Sequence, residues 1–311
     1  MIRKLNTNMK ILISLLLLTR TSLGYPFRNG GGAIDLAFLG RGGGDVEVET
    51  IGTANFTFPL CQSGDGHEEN PDSIPSRFLR MQNGNIEKAR VAFHCTQQWR
   101  CENHIDTILN RPHIQFDLCK AILPHYFLGH DPKGHIVFCQ RPGFANVNLM
   151  QERNVSEYDL LMHYAYVLEF CWNILEPHPD QIMTSVLDLT GVSFSKAREM
   201  LAFTKQFVSM MSKHYPQRSY KTLIINAPGW FGALYRLISP LLRESTRLKI
   251  HILSSGVKQE QALSKCLGPS LRKELLSGEP LDPTESMALE ETLRNFCLSR
   301  INEADLEMIP L

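Results

Sequence analysis

The sequence predicts an α/β fold in which helices pack on a mainly parallel sheet and a small helical lobe precedes that sheet. From residue 185 onward, short apolar runs typical of strands alternate with longer segments of helical periodicity. Parallel strands need long crossover connections, usually helices, so this alternation favours parallel pairing. Before the first strand, residues 73–106 carry two helical patterns of their own, and these predict the separate lobe.

In chain order, the first predicted strands form a hairpin. The apolar runs 126–128 and 136–138 flank a turn sequence at 131–134 that contains Pro132 and Gly134. Residues 156–175 follow as a long helix with apolar positions almost all round, which indicates burial. After it, strands are predicted at 185–189, 223–225 and 250–253, and helices at 195–214, 231–242 and 286–301.

The charge balance argues against a nucleic-acid partner. The chain of 311 residues contains 32 basic and 32 acidic residues and has no basic runs. Without a net field or a basic patch, a protein does not attract polyanions, so we expect no nucleic-acid binding. With 43% hydrophobic residues, the chain is long enough for one large domain with appendages.

The N-terminus has the pattern of a signal peptide at residues 1–24. Arg3, Lys4 and Lys10 precede an apolar run at 11–18, which is too short to span a bilayer. This pattern predicts entry into the secretory pathway and a secreted, luminal or organelle-routed product. The alternative is a cytoplasmic protein at a membrane surface. Residues 25–72 are rich in Gly, Asn and Ser and bury too little to offset their ordering entropy, which predicts a disordered leader.

The eight cysteines are scattered, without the close spacing of a disulfide scaffold. Cys139 lies in an apolar strand pattern and Cys171 in the apolar helix pattern. Because a free cysteine buries like a small hydrophobic residue, we expect most of the eight to be reduced core residues.

Two groups of motifs follow one another in an order known from a protein family. The first group is residues 76–80 (SRFLR), 85–89 (NIEKA) and 99–100 (WR); the second is 187–192 (LDLTGV), 215–216 (YP), 224–228 (IINAP) and 249–250 (KI). Over residues 76–265 these motifs resemble the CRAL-TRIO family, in particular its members similar to the yeast phosphatidylinositol-transfer protein. The resemblance implies an N-terminal helical lobe at 73–106, a CRAL-TRIO lipid-binding domain at 107–265 and a C-terminal helical tail at 266–311. The tail helix either covers the pocket mouth or binds a partner.

The resemblance further implies an apolar pocket, floored by the sheet and closed by an amphipathic gate helix. In the predicted helix 231–242, an apolar stripe at helical spacing fits this role and consists of Phe231, Leu234, Tyr235, Ile238 and Leu241. A lipid leaving a membrane exposes many methylenes at about 0.8 kcal/mol each, so a closed apolar cavity must replace the bilayer. The alternative is an ordinary surface helix that packs its stripe on a core.

The headgroup site that the resemblance implies is only half present in this chain. The family's basic pair after the Arg-Phe-Leu-Arg motif corresponds to Gln82 and Asn83, and its glutamate after Tyr-Pro corresponds to Gln217. Its lysine and threonine are retained as Lys249 and Thr246. Two further positions of the family's polar site correspond to Met183 and Ser185. A lysine without a carboxylate partner near a dry rim either loses its proton or finds another anion, so we expect an acidic lipid or fatty-acid-like ligand with weak or no selectivity for inositol. The alternative is that Lys249 points to solvent beside Arg247.

A serine hydrolase and a metal protein are the two alternatives to a lipid carrier. Ser193 follows a strand as a hydrolase nucleophile does, but the motif's final glycine is Ser195, and capping of a helix is the commoner role of such serines. His94, Cys101 and His104 lack the spacing of a zinc site. We therefore expect no catalytic residues, no metal and no cofactor besides the bound lipid. The chain is predicted to be a monomer at a peripheral membrane surface, either as a carrier or as a lipid-gated interaction module.

Overall fold

The computed structural model describes residues 74–193, 200–231, 248–268 and 288–301. They contain a five-stranded sheet in the order β1-β2-β3-β4-β5. The first two strands are antiparallel, and the pairs from β2 to β5 are parallel. The predicted α/β fold class is thereby confirmed. The strands are β1 His125–His130, β2 Ile136–Gln140, β3 Met183–Asp188, β4 Ser219–Ile225 and β5 Ile250–Ile252.

Eight α-helices lie in the described parts of the chain. They are α1 Ser76–Met81, α2 Ile86–Glu102, α3 Phe116–Ile122, α4 Val147–Glu152, α5 Glu157–Phe170, α6 Leu201–His214, α7 Val257–Leu267 and α8 Ala288–Leu298. Short 3-10 helices lie at Ile105–Asn110 and Pro142–Phe144, and a π-helical turn continues α5 over Cys171–Leu175.

The predicted long helix is α5 with its π-helical continuation. Its start is set by a capping box, in which Ser156 accepts from the Asp159 backbone N–H and Asp159 accepts from the Ser156 backbone N–H. Ten of its fourteen residues are buried, including Tyr164 and Phe170, because it lies under one face of the sheet. A helix enclosed in this way needs apolar side chains on nearly every side, which is the pattern seen in the sequence.

The two faces of the sheet are covered by different helices. The larger core joins Phe127 and Phe138 of the sheet to α3, α5, α6 and α8. On the opposite face, Val137 and Leu223 pack against Leu263 and Leu267 of α7. This arrangement is the layered packing expected of a mainly parallel sheet.

The tail helix α8 is part of the large core. Leu293 and Cys297 are almost fully buried there. Glu290 accepts hydrogen bonds from the Phe127 backbone N–H at 2.6 Å and from Lys120 Nζ at 2.7 Å. Its carboxylate therefore connects α8 to the edge strand β1 and to α3. The described helix of the tail packs in this core, and the expectation that the tail covers a pocket mouth or binds a partner stays a prediction.

Four of the seven described cysteines are buried, in agreement with the expected reduced core cysteines: Cys119, Cys139, Cys171 and Cys297. Cys95 and Cys101 differ, since both are exposed on α2. Within the ranges that the structure describes, none of the helices is long and apolar enough to cross a bilayer. The predicted signal peptide and Gly-rich leader lie outside those ranges.

Candidate lipid-binding cavity

A cavity of about 380 Å³ lies between one face of the sheet and helices α5 and α6. Its described lining consists of Arg80, Met81, Asn83, Phe138, Gln140, Leu168, Met183, Ser185, Val186, Leu187, Phe207, Met211, Ser212, Tyr215, Pro216, Gln217, Arg218, Ser219, Thr222 and Lys249. The volume is within the range of small-molecule sites, which are mostly apolar with a few polar groups that orient the ligand.

The body of the cavity is apolar on one side and mixed on the other. Phe138, Ser185 and Thr222 are register partners on β2, β3 and β4, so their side chains form one row across the sheet. Opposite this row stand Leu168 of α5 and Phe207 of α6. A hydrocarbon chain placed between these two walls would be shielded from water on both of its sides.

One end of the cavity is polar and lies where β3, β4 and β5 begin. Ser219 opens β4, and Lys249 directly precedes β5. Lys249 Nζ donates to the Ser219 carbonyl at 2.9 Å, and its partial burial lowers the pKa of this ammonium group. The Ser219 Oγ atom is buried and has no hydrogen-bond partner among the described atoms. A buried hydroxyl without a partner is costly, so this atom is available to a ligand.

Two arginines add positive charge near the same end. Arg218 is buried, donates to the carbonyls of Pro179 and Gln181 at 2.8 Å, and lies over the Trp172 ring at 4.3 Å. Arg80 is exposed, and its contact with the Asp180 carboxylate at 3.2 Å is a surface ion pair. Exposed pairs contribute little free energy, so Arg80 can exchange this partner for a ligand anion.

The structure brings four of the six predicted ligand-binding residues to this cavity: Met183, Ser185, Gln217 and Lys249. Gln217 is exposed in the turn before β4, with a φ of 60°. Gln82 is not among the lining residues, whereas its neighbour Asn83 is. Thr246 lies outside the described residues.

The predicted gate helix is described only at its start. Phe231 is fully buried and is not among the cavity-lining residues. The other stripe residues, Leu234, Tyr235, Ile238 and Leu241, lie outside the described residues.

Sequence reasoning missed Arg80, Arg218 and Ser219 as parts of the site. Arg80 was visible as the last residue of a quoted motif, and Arg218 as the second residue after Tyr-Pro. Ser219 carried no signal of its own, because its role depends on the neighbouring Lys249, thirty residues further along the chain.

The rival sites have less support in the structure. His94, Cys101 and His104 are all exposed, and the described residues do not bring them together as a metal-ligand group. Ser193 ends a described segment, and Ser195 lies outside the described residues, so the nucleophile-elbow pattern has no geometry to support it.

Comparison with known proteins gives matches over the sheet region and beyond. The family model of the CRAL/TRIO domain matches residues 123–275. The chain is 31% identical over 198 residues to the SEC14 cytosolic factor of Eremothecium gossypii, which covers 61% of this chain and 64% of that protein. It is 30% identical over 208 residues to the phosphatidylinositol/phosphatidylcholine transfer protein SFH7 of Arabidopsis thaliana. That match covers 62% of this chain and 37% of the Arabidopsis protein. The crystal structure of Sfh5 covers 71% of this chain and 78% of its own, with a TM-score of 0.48 and 18% identity.

The match to the Eremothecium protein thus spans somewhat less than two thirds of that relative's length. The names of this relative and of the Sec14 protein of Schizosaccharomyces pombe describe those proteins as cytosolic factors, and the matches do not support the predicted signal peptide.

Proposed function

The chain belongs to the CRAL-TRIO family, and from this premise we propose that its cavity binds one lipid molecule and that the protein carries this lipid between membranes. The family assignment was predicted and is confirmed by the domain match and the relatives. Lipid binding and transfer, rather than catalysis, is the activity at the level of the family, which agrees with the expectation that the chain is not an enzyme.

The charge of the cavity lining carries the proposal for the ligand. Arg80, Arg218 and Lys249 supply three positive charges, and none of the described lining residues is acidic. Of the three, Lys249 is half-buried and donates to a neutral carbonyl, that of Ser219. Partial desolvation of its charge is unfavourable, and an anionic ligand beside it would offset that cost. We therefore assign the polar end to a phosphate or carboxylate and the apolar body to a hydrocarbon chain.

The same lining supports an anionic lipid without selectivity for inositol. Lys249 and the free Ser219 hydroxyl offer one cation and one hydrogen-bond donor to an acidic group. Asn83 provides an amide where the family's inositol-binding members carry a basic residue, and Gln217 provides an amide in place of a carboxylate. Neutral amides contribute less to binding a polyanionic headgroup than charged donors do.

The gate belongs to the proposal as well. The proposed stripe begins at Phe231, which is buried in the protein interior, and its remaining members, Leu234, Tyr235, Ile238 and Leu241, supply the apolar side chains that a gate over the cavity needs. Opening at a membrane surface would expose the cavity to the bilayer rather than to water, and this predicts a peripheral, reversible membrane contact by a monomer.

The proposal is tested by extraction of lipid from the purified full-length protein and mass spectrometry of the extract. We expect one acidic lipid per chain, and transfer of that lipid between vesicles at catalytic protein amounts. Retention without transfer would favour a lipid-gated interaction module. Absence of bound lipid, or an ester hydrolysis that Ser193→Ala abolishes, would refute the proposal.

A further inference from the structure

A cluster of histidine and cysteine side chains lies in the large core, apart from the cavity. His113 precedes α3, Cys119 lies on α3, and His163 lies on α5. Their potential ligand atoms all lie within 4.8 Å of one another, and Cys119 and His163 are almost fully buried. None of these residues lines the lipid cavity, so the proposed function does not account for them.

The tautomers of the histidines follow from their partners. His125 Nδ1 lies 2.7 Å from the Leu123 carbonyl, which can only accept, so this nitrogen carries the proton. The His125 Nε2 atom then accepts a hydrogen bond from the His163 Nε2–H at 3.1 Å. His163 Nδ1 in turn presents a lone pair, and His113 Nε2 lies 2.8 Å from it.

This series of hydrogen bonds fixes the lone pair of His163 Nδ1 in a defined position. The bond from His163 to His125, which the Leu123 carbonyl orients, is the outer-shell arrangement that sets the tautomer of metal-ligating histidines. We propose that His113 Nε2, Cys119 Sγ and His163 Nδ1 bind one Zn²⁺ ion. Two imidazoles and a thiolate are ligands that this borderline-soft ion prefers.

The distances require only small movements. Tetrahedral zinc with bonds of about 2.0–2.1 Å to nitrogen and 2.3 Å to sulfur separates its ligand atoms by about 3.3–3.6 Å. The two ring nitrogens at 2.8 Å therefore move apart by about 0.5 Å, and the sulfur, which lies within 4.8 Å of both, moves in to about 3.6 Å from them. His113 changes tautomer, because its proton moves from Nε2 to Nδ1, and the Cys119 thiol loses its proton to the solvent.

Charge and access also fit a cation. Asp159 lies one helical turn before His163 on α5 and places a carboxylate on the same helix as this ligand. The nearby positive charge of Lys120 is paired with Glu290 at 2.7 Å. A small cavity of about 40 Å³ borders His113, which is the least buried of the three ligands, and Asp117. The sequence spacing had predicted no metal site, since these ligands come from separate elements.

Zinc titration of the full-length, metal-free protein against a chelating indicator tests the site. Exposed Cys95 and Cys101 are first replaced by serine, to remove two accessible thiols. We expect one Zn²⁺ per chain. Cys119→Ala should weaken binding by at least about tenfold, since even the loss of an outer-shell partner weakens metal binding by 10–100-fold. Cys139→Ala, which removes an equally buried thiol outside the cluster, should leave binding unchanged.

Cobalt provides a second readout. With Co²⁺ as the probe, the starting protein and Cys139→Ala should show a thiolate-to-metal charge-transfer band, and Cys119→Ala should lack it. Circular dichroism establishes that each variant is folded. Failure of the folded protein to bind stoichiometric Zn²⁺, or equal binding and an equal band in Cys119→Ala, would overturn the proposal. Neither outcome bears on lipid binding, because the cluster and the cavity share no residue.

Discussion

Removal of the Glu290 carboxylate should strongly destabilise the protein while leaving its lipid cavity intact. The side chain is almost fully buried and satisfies two groups, the Lys120 ammonium and the Phe127 backbone N–H. In Glu290→Ala, both are left without their partner. Removing one member of a buried ion pair costs about 3–5 kcal/mol, and an unpaired buried N–H costs about 1–3 kcal/mol. Because both effects share one carboxylate they do not simply add, and we expect a loss of about 3–6 kcal/mol.

The assay is urea denaturation followed by circular dichroism. Glu291→Ala is the matched control, since Glu291 is the exposed neighbour on α8, and surface changes of this kind stay within about 0.5 kcal/mol. Glu290→Gln should be intermediate, because its amide oxygen still accepts from Phe127. Folded Glu290→Ala should keep its lipid, as Glu290 does not line the cavity.

The pH dependence identifies the cause of the loss. Burial already lowers the pKa of Lys120, and the Glu290 carboxylate opposes this shift. Without the carboxylate, the folded-state pKa of Lys120 falls further below its ordinary value of 10.5. The unfolded chain then binds more protons than the folded one, so the free energy of unfolding of Glu290→Ala should rise with pH between these two pKa values. A loss equal to that of Glu291→Ala, or one independent of pH up to 10, would refute the reasoning.

Three further predictions concern the ligand, the gate and the N-terminus. Lys249→Ala should reduce loading of anionic lipid about 10-fold or more, as expected for the loss of a charge-assisted hydrogen bond of about 1.5–3 kcal/mol. Gln217→Glu should have the same effect, because its carboxylate would repel the anion. Lipidomics of both variants measures the loading, and unchanged anionic loading would contradict the prediction. Leu234→Asp combined with Ile238→Asp should lower lipid retention in a folded protein, because a charge would face hydrocarbon; an unchanged load would make this an ordinary packing helix. N-terminal sequencing from the native host should find a start near Tyr25 if the leader is a signal peptide, and an intact Met1 end would establish the cytoplasmic alternative.

Much of the fold could be predicted from local pattern. The hairpin β1–β2, the enclosed helix α5 and the alternation behind the parallel strands all depend on residues close in sequence, whose periodicity or turn chemistry is visible without a structure. The motif order was equally readable, and with it four lining residues of the cavity.

What only the tertiary structure decided depends on contacts between distant parts of the chain. Glu290 accepts a hydrogen bond from the backbone N–H of Phe127, which is 163 residues away in the sequence, and no local pattern predicts such a pair. The three basic side chains at the cavity likewise come from distant parts of the chain: Arg80 from the helical lobe, Arg218 from just before β4 and Lys249 from just before β5. His113 and His163 are 50 residues apart and share one hydrogen bond. Sequence patterns report which side chains are buried, whereas the partner that each buried polar group finds is set by how the packed elements meet.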